Sequence, residues 1–341
     1  MTYARFFKSL AVLALPALLL PVSGCKQKEA KKGPNPAVRG ARVGLVLEDS
    51  GDYSKAVRSG AENLADRSGI ELMVEDAKGR ASEQSRAIEQ LSQEEVRVIL
   101  VSPVDGKKLD RAIDEARSKN VFVISLGEEI PGAGVASSIR FNQKSAGELA
   151  ADYTGRHLEN GTVAVLGEGG PEEKERRQAF EDYLREKFPS VKVVSPSGDA
   201  GTDPRAAAES LLRANPGVGA IFGLTDAVAL GAVEAARGRS GGKKPFVISY
   251  GGSDAAIEEL QKEDSPLQLV LGILPKRVGR VGVRQASRIV TNEKVRSVLF
   301  PVMPLTRDNY GMSPGWNGEL PRDEAVQIPW ETDLKLELVR E

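Results

Sequence analysis

Residues 122–127 read FVISLG and residues 246–251 read FVISYG, one six-residue run written twice, 124 positions apart, in a chain without tandem repetition. Each copy is apolar, rich in β-branched residues and closed by a glycine, the pattern of a buried strand ending in a turn. The residues around each copy explain the repetition. Strand-length apolar runs precede and include the first copy at VGLVL (43–47), IELMV (70–74), VRVILV (96–101) and VFVISL (121–126). Helical stretches separate them. In SKAVRSGAENLADRSG, Ala56, Val57, Gly60, Ala61, Leu64 and Ala65 share one face. In DGKKLDRAIDEARSKN, Asp105 stands as the candidate N-cap of a stripe made by Leu109, Ala112, Ile113 and Ala116.

The cycle then restarts. TVAVLG (162–167), VKVVS (191–195), VGAIFG (218–223) and FVISYG make a second set of strands. Their helices include EEKERRQAFEDYLREKF, and DPRAAAESLLRAN with Asp203 as cap and Pro204 at the first helical position. Alternation of this kind predicts parallel sheets covered on both faces, so the fold class expected is α/β: two similar doubly wound lobes joined by a hinge. A further strand, LQLVLGILP (267–275), and a further helix after it suggest that the chain crosses back to the first lobe. In such sheets solutes bind beyond the carboxyl ends of the strands, and two facing lobes would close on one solute in the cleft between them. The boundaries read as 42–142 plus 274–302 for the first lobe, 143–273 plus 303–310 for the second, and 311–341 for a carboxyl-terminal extension. That extension is rich in turn residues yet carries Trp316 and Trp330; its sequence leaves open whether it packs on a lobe or lies near the cleft mouth.

The amino terminus reads as an address. Arg5 and Lys8 precede an apolar run from Leu10 to Leu20, of signal-peptide length and too short for a membrane span of ~20 residues. The run ends at Val22-Ser23-Gly24-Cys25, which resembles the lipobox of bacterial lipoproteins. That resemblance implies that residues 1–25 are a lipoprotein signal, that Cys25 carries the lipid, and that the protein sits outside the cytoplasm on a membrane. Residues 26–41 contain the polar, basic KQKEAKKGPNP and read as a tether.

Composition excludes several functions. Cys25 is the one cysteine and His157 the one histidine, too few for a zinc site or a disulfide, so no metal is expected. His157 falls in DYTGRHLENG, the predicted last turn of a helix, where an imidazole faces the helix carbonyls; a Ser-His-Asp triad has no other histidine to use. The segment GEGGP (167–171) lacks the spacing of a dinucleotide fingerprint, so no cofactor is expected either. A formal net charge of −1 and 5% aromatic residues give no basic face or stacking platform for nucleic acid. An enzyme is not expected.

From about Arg42 to Tyr310 the chain resembles the type I periplasmic sugar-binding proteins, the ribose-binding group in particular. The likeness lies in GLVLEDSGDYSKAVRSGAE, ILVSPVD, VFVISLG, RRQAF, IFGLTDAVALGAVEA, VISYGG and GILPKRVGRVGV, in that order. It implies a monomeric receptor that delivers a sugar-like solute to an ABC permease, with a ligand-presenting subunit for a membrane histidine kinase as the alternative. The family's ring-stacking aromatic is matched by Tyr53, and its second aromatic by Ser54. The arginine of the fifth-strand helix is matched by Arg176, four residues before Phe180. Elsewhere the pattern departs: an Asp-Arg pair is Gly127-Glu128, an asparagine is Thr225 before a retained Asp226, an aspartate is Gly251, and a glutamine is Ile273. Each lost partner of a buried polar group costs ~1–3 kcal/mol, so tight binding of ribose is not expected. Gly127 and Gly251 read either as tight turns or as a pocket widened on both lobes. The polar residues left for the cleft are Glu48, Asp49, Tyr53, Glu128, Asn142, Glu168, Arg176, Thr225 and Asp226. Their carboxylates are either solute contacts or solvated rim charges.

Overall fold

A computed structural model describes residues 36–318, apart from 131, 133, 168, 196–202 and 241–243. Cys25, Glu168 and Trp330 therefore lie outside the described residues.

The first sheet is built from β1 (Arg42–Leu47), β2 (Glu71–Asp76), β3 (Val98–Val101), β4 (Phe122–Gly127) and β5 (Ser137–Phe141). The second uses β6 (Gly161–Leu166), β7 (Val191–Val194), β8 (Val218–Gly223), β9 (Phe246–Gly251) and β10 (Leu267–Gly272). Two short late strands, β11 (Val298–Phe300) and β12 (Met303–Leu305), join one sheet each. The orders are β11-β5-β4-β3-β1-β2 and β12-β10-β9-β8-β6-β7, identical position for position. All pairings are parallel except β10 with β12. FVISLG and FVISYG are β4 and β9, third from the same edge of each sheet. The repeated strand is the mark of a duplicated lobe, and the molecule is the two-lobed α/β fold that the alternation predicts.

The strands form because both faces are covered. Val98–Val101 and Val218–Gly223 are buried throughout, as a continuous apolar run requires when helices lie on both sides. The helices α1 (Asp52–Ser68), α2 (Ala81–Leu91), α3 (Asp110–Ser118) and α9 (Pro275–Val290) pack in the first lobe. The second lobe is covered by α4 (Gln143–Leu158), α5 (Pro171–Lys187), α6 (Pro204–Ala214), α7 (Asp226–Gly238) and α8 (Asp254–Gln261).

In each lobe helices approach backbone to backbone. A Cβ on Gly60 of α1 would lie 1.9 Å from the Lys276 carbonyl oxygen, and one on Gly279 of α9 would lie 1.9 Å from that of Val57. In the second lobe a Cβ on Gly147 of α4 would lie 2.3 Å from the Arg176 carbonyl oxygen on α5. The second contact fixes where Arg176 stands.

Local signals hold in part. Asp203 accepts the Ala206 amide at 3.0 Å as the cap of α6, with Pro204 opening the helix. His157 stacks on Tyr153 in the last turn of α4, its Nδ1 lying 2.8 Å from the Tyr153 carbonyl. Asp105 makes no capping bond. It pairs with Lys108 at 2.9 Å while the chain runs through a 3₁₀ turn, Gly106–Lys108, so that α3 starts only at Asp110. Among the described residues no helix is long and apolar enough to cross a membrane.

Candidate functional site

The carboxyl ends of the two sheets meet across a cleft. The first lobe brings Glu48 after β1, Tyr53 in the first turn of α1, and Gly127-Glu128 at the end of β4. The second brings Gln143 and Arg176 from the first halves of α4 and α5, Glu172 from the first turn of α5, and Tyr250-Gly251 from β9. Contacts bridge the lobes directly: the Glu129 amide donates to Glu172 Oε1 at 3.3 Å, and Arg140 of β5 lies 3.7 Å from the same oxygen and 2.8 Å from Glu129.

Arg176 is the centre of the second lobe's side. Only 2% exposed, its guanidinium lies over the Tyr250 ring, 3.5 Å from the centroid. One terminal nitrogen donates to Gln143 Oε1, and the other to the Leu224 carbonyl at 2.7 Å. Gln143 in turn donates to the Tyr250 hydroxyl at 3.0 Å. A planar guanidinium suits this role because it can stack and hydrogen-bond at once. Burial lowers the Arg176 pKa and pushes the Tyr250 phenol up to about 12.

Acidic groups gather opposite. Burial pushes Glu48 up to about 7, with the charges of Asp49 and Glu128 adding to the effect. Glu128 also rises to about 7, through burial first and then the neighbouring Glu172 and Glu173, against the pull of Arg176. Burial raises Glu172 as well, opposed by Arg140. Tyr53 stands among them, its phenol held well above its usual range by burial and then by Glu48, Tyr250, Glu128 and Glu172. Like charges crowded in a poorly solvated site favour the protonated carboxyl.

Neither glycine widens the cleft. Gly127 has φ +85°, and a Cβ there would lie 2.4 Å from the Tyr53 hydroxyl oxygen. At Gly251, with φ +143°, a Cβ would lie 2.4 Å from Asp226 Oδ2. Each takes a backbone conformation that side chains rarely adopt, and the protein's own polar groups fill the space above it.

The expected site residues separate into two groups. Tyr53, Glu128 and Arg176 come together in the cleft, with Glu48 beside them. Thr225, Asp226 and Asn142 serve the scaffold. Thr225 and Asn142 cap α7 and α4, accepting the Val228 and Ser145 amides at 3.3 and 2.8 Å. The buried Asp226 accepts from the Ser249 hydroxyl at 2.5 Å and the Ser253 amide at 2.6 Å. Asp49 accepts the Gly51 amide at 2.9 Å in an exposed turn, the rim position. Ile273 is buried in the core, and Ser54, fully buried, gives the cleft no second aromatic.

Sequence reasoning did not place Tyr250, Gln143 or Glu172 in the cleft, and it left the position of Trp316 open. Tyr250 had a signal, since it is the one position at which FVISYG differs from FVISLG. Its counterpart Leu126 is plain core. Among the described residues no group of histidine, cysteine and acidic side chains could hold a metal. A groove of about 630 Å³ lies away from the cleft between α6 and α7, lined by Glu209, Arg213 and Arg239 among others, and none of these is buried.

The geometry can be set beside known proteins. A model of the periplasmic binding protein domain matches residues 43–294, about three-quarters of the chain. The chain belongs to that family. This periplasmic binding protein is 26% identical over 267 residues to the ribose import binding protein of Bacillus subtilis, covering 77% of this chain and 86% of that one. A solute-binding protein from Actinobacillus succinogenes, solved with D-allose, shares the fold with a TM-score of 0.72 at 23% identity, over 80% of this chain and 100% of that one. One from Bacillus halodurans, solved with myo-inositol, does so with a TM-score of 0.73 at 18% identity, over 80% and 97%. Membership makes the protein a solute-binding protein and not an enzyme.

Proposed function

We propose that this periplasmic binding protein captures a sugar or sugar-like ring solute between its lobes, outside the cytoplasm, and delivers it to an ABC permease. The observation that carries the solute class is a pair of polar atoms on α5. Arg176 Nε and Glu172 Oε2 are buried, four residues apart on the helix that meets the first lobe, and neither has a hydrogen-bond partner among the described residues. Buried polar groups are almost always satisfied, and a solute hydroxyl can accept from an N–H and donate to a carboxylate at once. Glu48 and Glu128 add further acceptors from the opposite lobe. The relatives named for ribose, D-allose and myo-inositol support polyhydroxylated ring solutes as a class.

Ribose itself is not the solute on this reading. At the positions that differ from the ribose-binding pattern, Thr225 caps a helix, Ile273 is core, and the two glycines lie beneath Tyr53 and Asp226. The lipobox-like VSGC supports Cys25 as a lipid anchor that keeps the receptor at the membrane.

The test is a melting screen of the purified protein against pentoses, hexoses, cyclitols and amino sugars. A solute at 100 times its dissociation constant adds about 2.7 kcal/mol to the folded state, enough for a rise of several degrees. A clear rise with one ring solute and none with ribose is the expected result. A rise with ribose would refute the reading of the pocket, and no rise across the set would count against the receptor.

A further inference from the structure

Trp316 lies beyond residues 43–294, the span of the family match, yet it reaches the cleft from the carboxyl-terminal segment. Its indole meets the Tyr53 ring edge to face, with centroids 5.8 Å apart and planes at 78°. On the other side its Nε1–H donates to the Gly251 carbonyl at 2.9 Å, at the end of β9. One side chain therefore touches both lobes where the strand ends face each other.

The segment that carries it is tied down. Asn317 donates to Asp254 Oδ2 at 2.7 Å, on the first residue of α8. From the first turn of α9, Lys276 donates to the carbonyls of Asn317 at 2.7 Å and Gly318 at 3.1 Å. Gly315 makes the turn just before it, with φ +68°. Both Tyr53 and Trp316 are only half-buried. An edge-to-face pair leaves at least one face of each ring for another partner.

From this we infer that Trp316 is a specificity-determining residue of the solute site, forming with Tyr53 an aromatic corner for a ring solute. The position that carries the second aromatic in the ribose-binding pattern is Ser54, which points into the core. Trp316 restores the missing wall from outside the matched domain. A pyranose or cyclitol would rest its C–H face on one ring and turn an edge toward the other, with its hydroxyls directed to Glu48, Glu128 and the free atoms of α5. The inference rests on the receptor reading above.

Trp316 and Trp330 are the two tryptophans of the chain, so Trp330→Phe makes Trp316 the sole indole emitter. That variant would be titrated with D-allose, myo-inositol, D-glucosamine and D-ribose, with calorimetry of Trp316→Ala and Trp316→Phe alongside. A solute that binds by calorimetry is expected to shift the emission of Trp316. Its affinity should fall about tenfold in Trp316→Ala and less in Trp316→Phe, which keeps a ring but loses the bond to Gly251. Unchanged emission and affinity would make Trp316 mere packing and overturn the inference while leaving the receptor intact. Tighter binding in Trp316→Ala would also overturn it, showing an indole that the solute must displace. Binding of none of these solutes, together with a silent melting screen, would remove the receptor reading and the inference with it.

Discussion

Arg176 shows what one residue contributes at both ends of the causal chain. Its guanidinium joins Gln143, the Leu224 carbonyl and the Tyr250 face into one buried unit, so a lysine cannot replace it. A lysine has no planar face to lay on the Tyr250 ring, and its single nitrogen must stand in for two guanidinium nitrogens at two separate acceptors, at a cost of about 1–3 kcal/mol. Arg176→Lys is expected to lower the melting temperature by several degrees and to weaken solute binding by more than the stability loss alone explains. Melting curves with and without solute separate the two effects. Arg176 was legible in the sequence because its type and its spacing from Phe180 match a known pattern. The pairing of Gly127 with Tyr53 was not legible. A glycine after a strand looks the same whether its open side faces a solute or a neighbouring hydroxyl, and only the path of α1 decides between them.

At the scale of elements, the periodicity carried most of the information. Runs buried on both faces, such as VILV and VGAIFG, read directly as central strands, and β4, β8 and β9 fall on the residues the pattern marks. The strands that escaped were β5, β11 and β12. β11 and β12 are only three residues long, and β5 carries Ser137, Ser138 and Arg140, so it shows no apolar run. Helix packing has its own signature in the close glycines. Gly60 and Gly279 let α1 and α9 touch through their backbones, and neither helix can give way, because the Cβ would meet a carbonyl rather than a movable side chain. Gly279→Ala should therefore destabilise the first lobe by about 1–3 kcal/mol, the usual range for overpacking, or more. A lower urea midpoint with an unchanged slope would show it. An unchanged midpoint would mean that the helices separate without loss.

At the scale of the molecule, the two lobes bring together carboxyls from distant parts of the chain: Glu48 and Glu128 from one side, Glu172 from the other. Burial and mutual repulsion raise Glu48 and Glu128 from 4.5 to about 7. Between those values the folded form binds protons that the unfolded chain has released. These two groups therefore stabilise the fold fully below about pH 4.5, and their contribution is lost as pH rises to about 7. The ceiling is about 3 kcal/mol for each group, since one pKa unit corresponds to about 1.4 kcal/mol. Melting temperature should accordingly fall between pH 5 and 7.5. Glu128→Gln should flatten that slope and raise the melting temperature at neutral pH, because an amide needs no proton to remain uncharged. A slope identical to that of the unmodified protein would place the repulsion elsewhere. A bound solute adds a second term of known sign. Hydroxyls that donate to Glu48 and Glu128 stabilise their charged forms, so binding should release protons near pH 7, and calorimetry in buffers of different ionisation heat would register them. Loss of that release in Glu128→Gln would tie closure, protonation and capture to the same carboxyl.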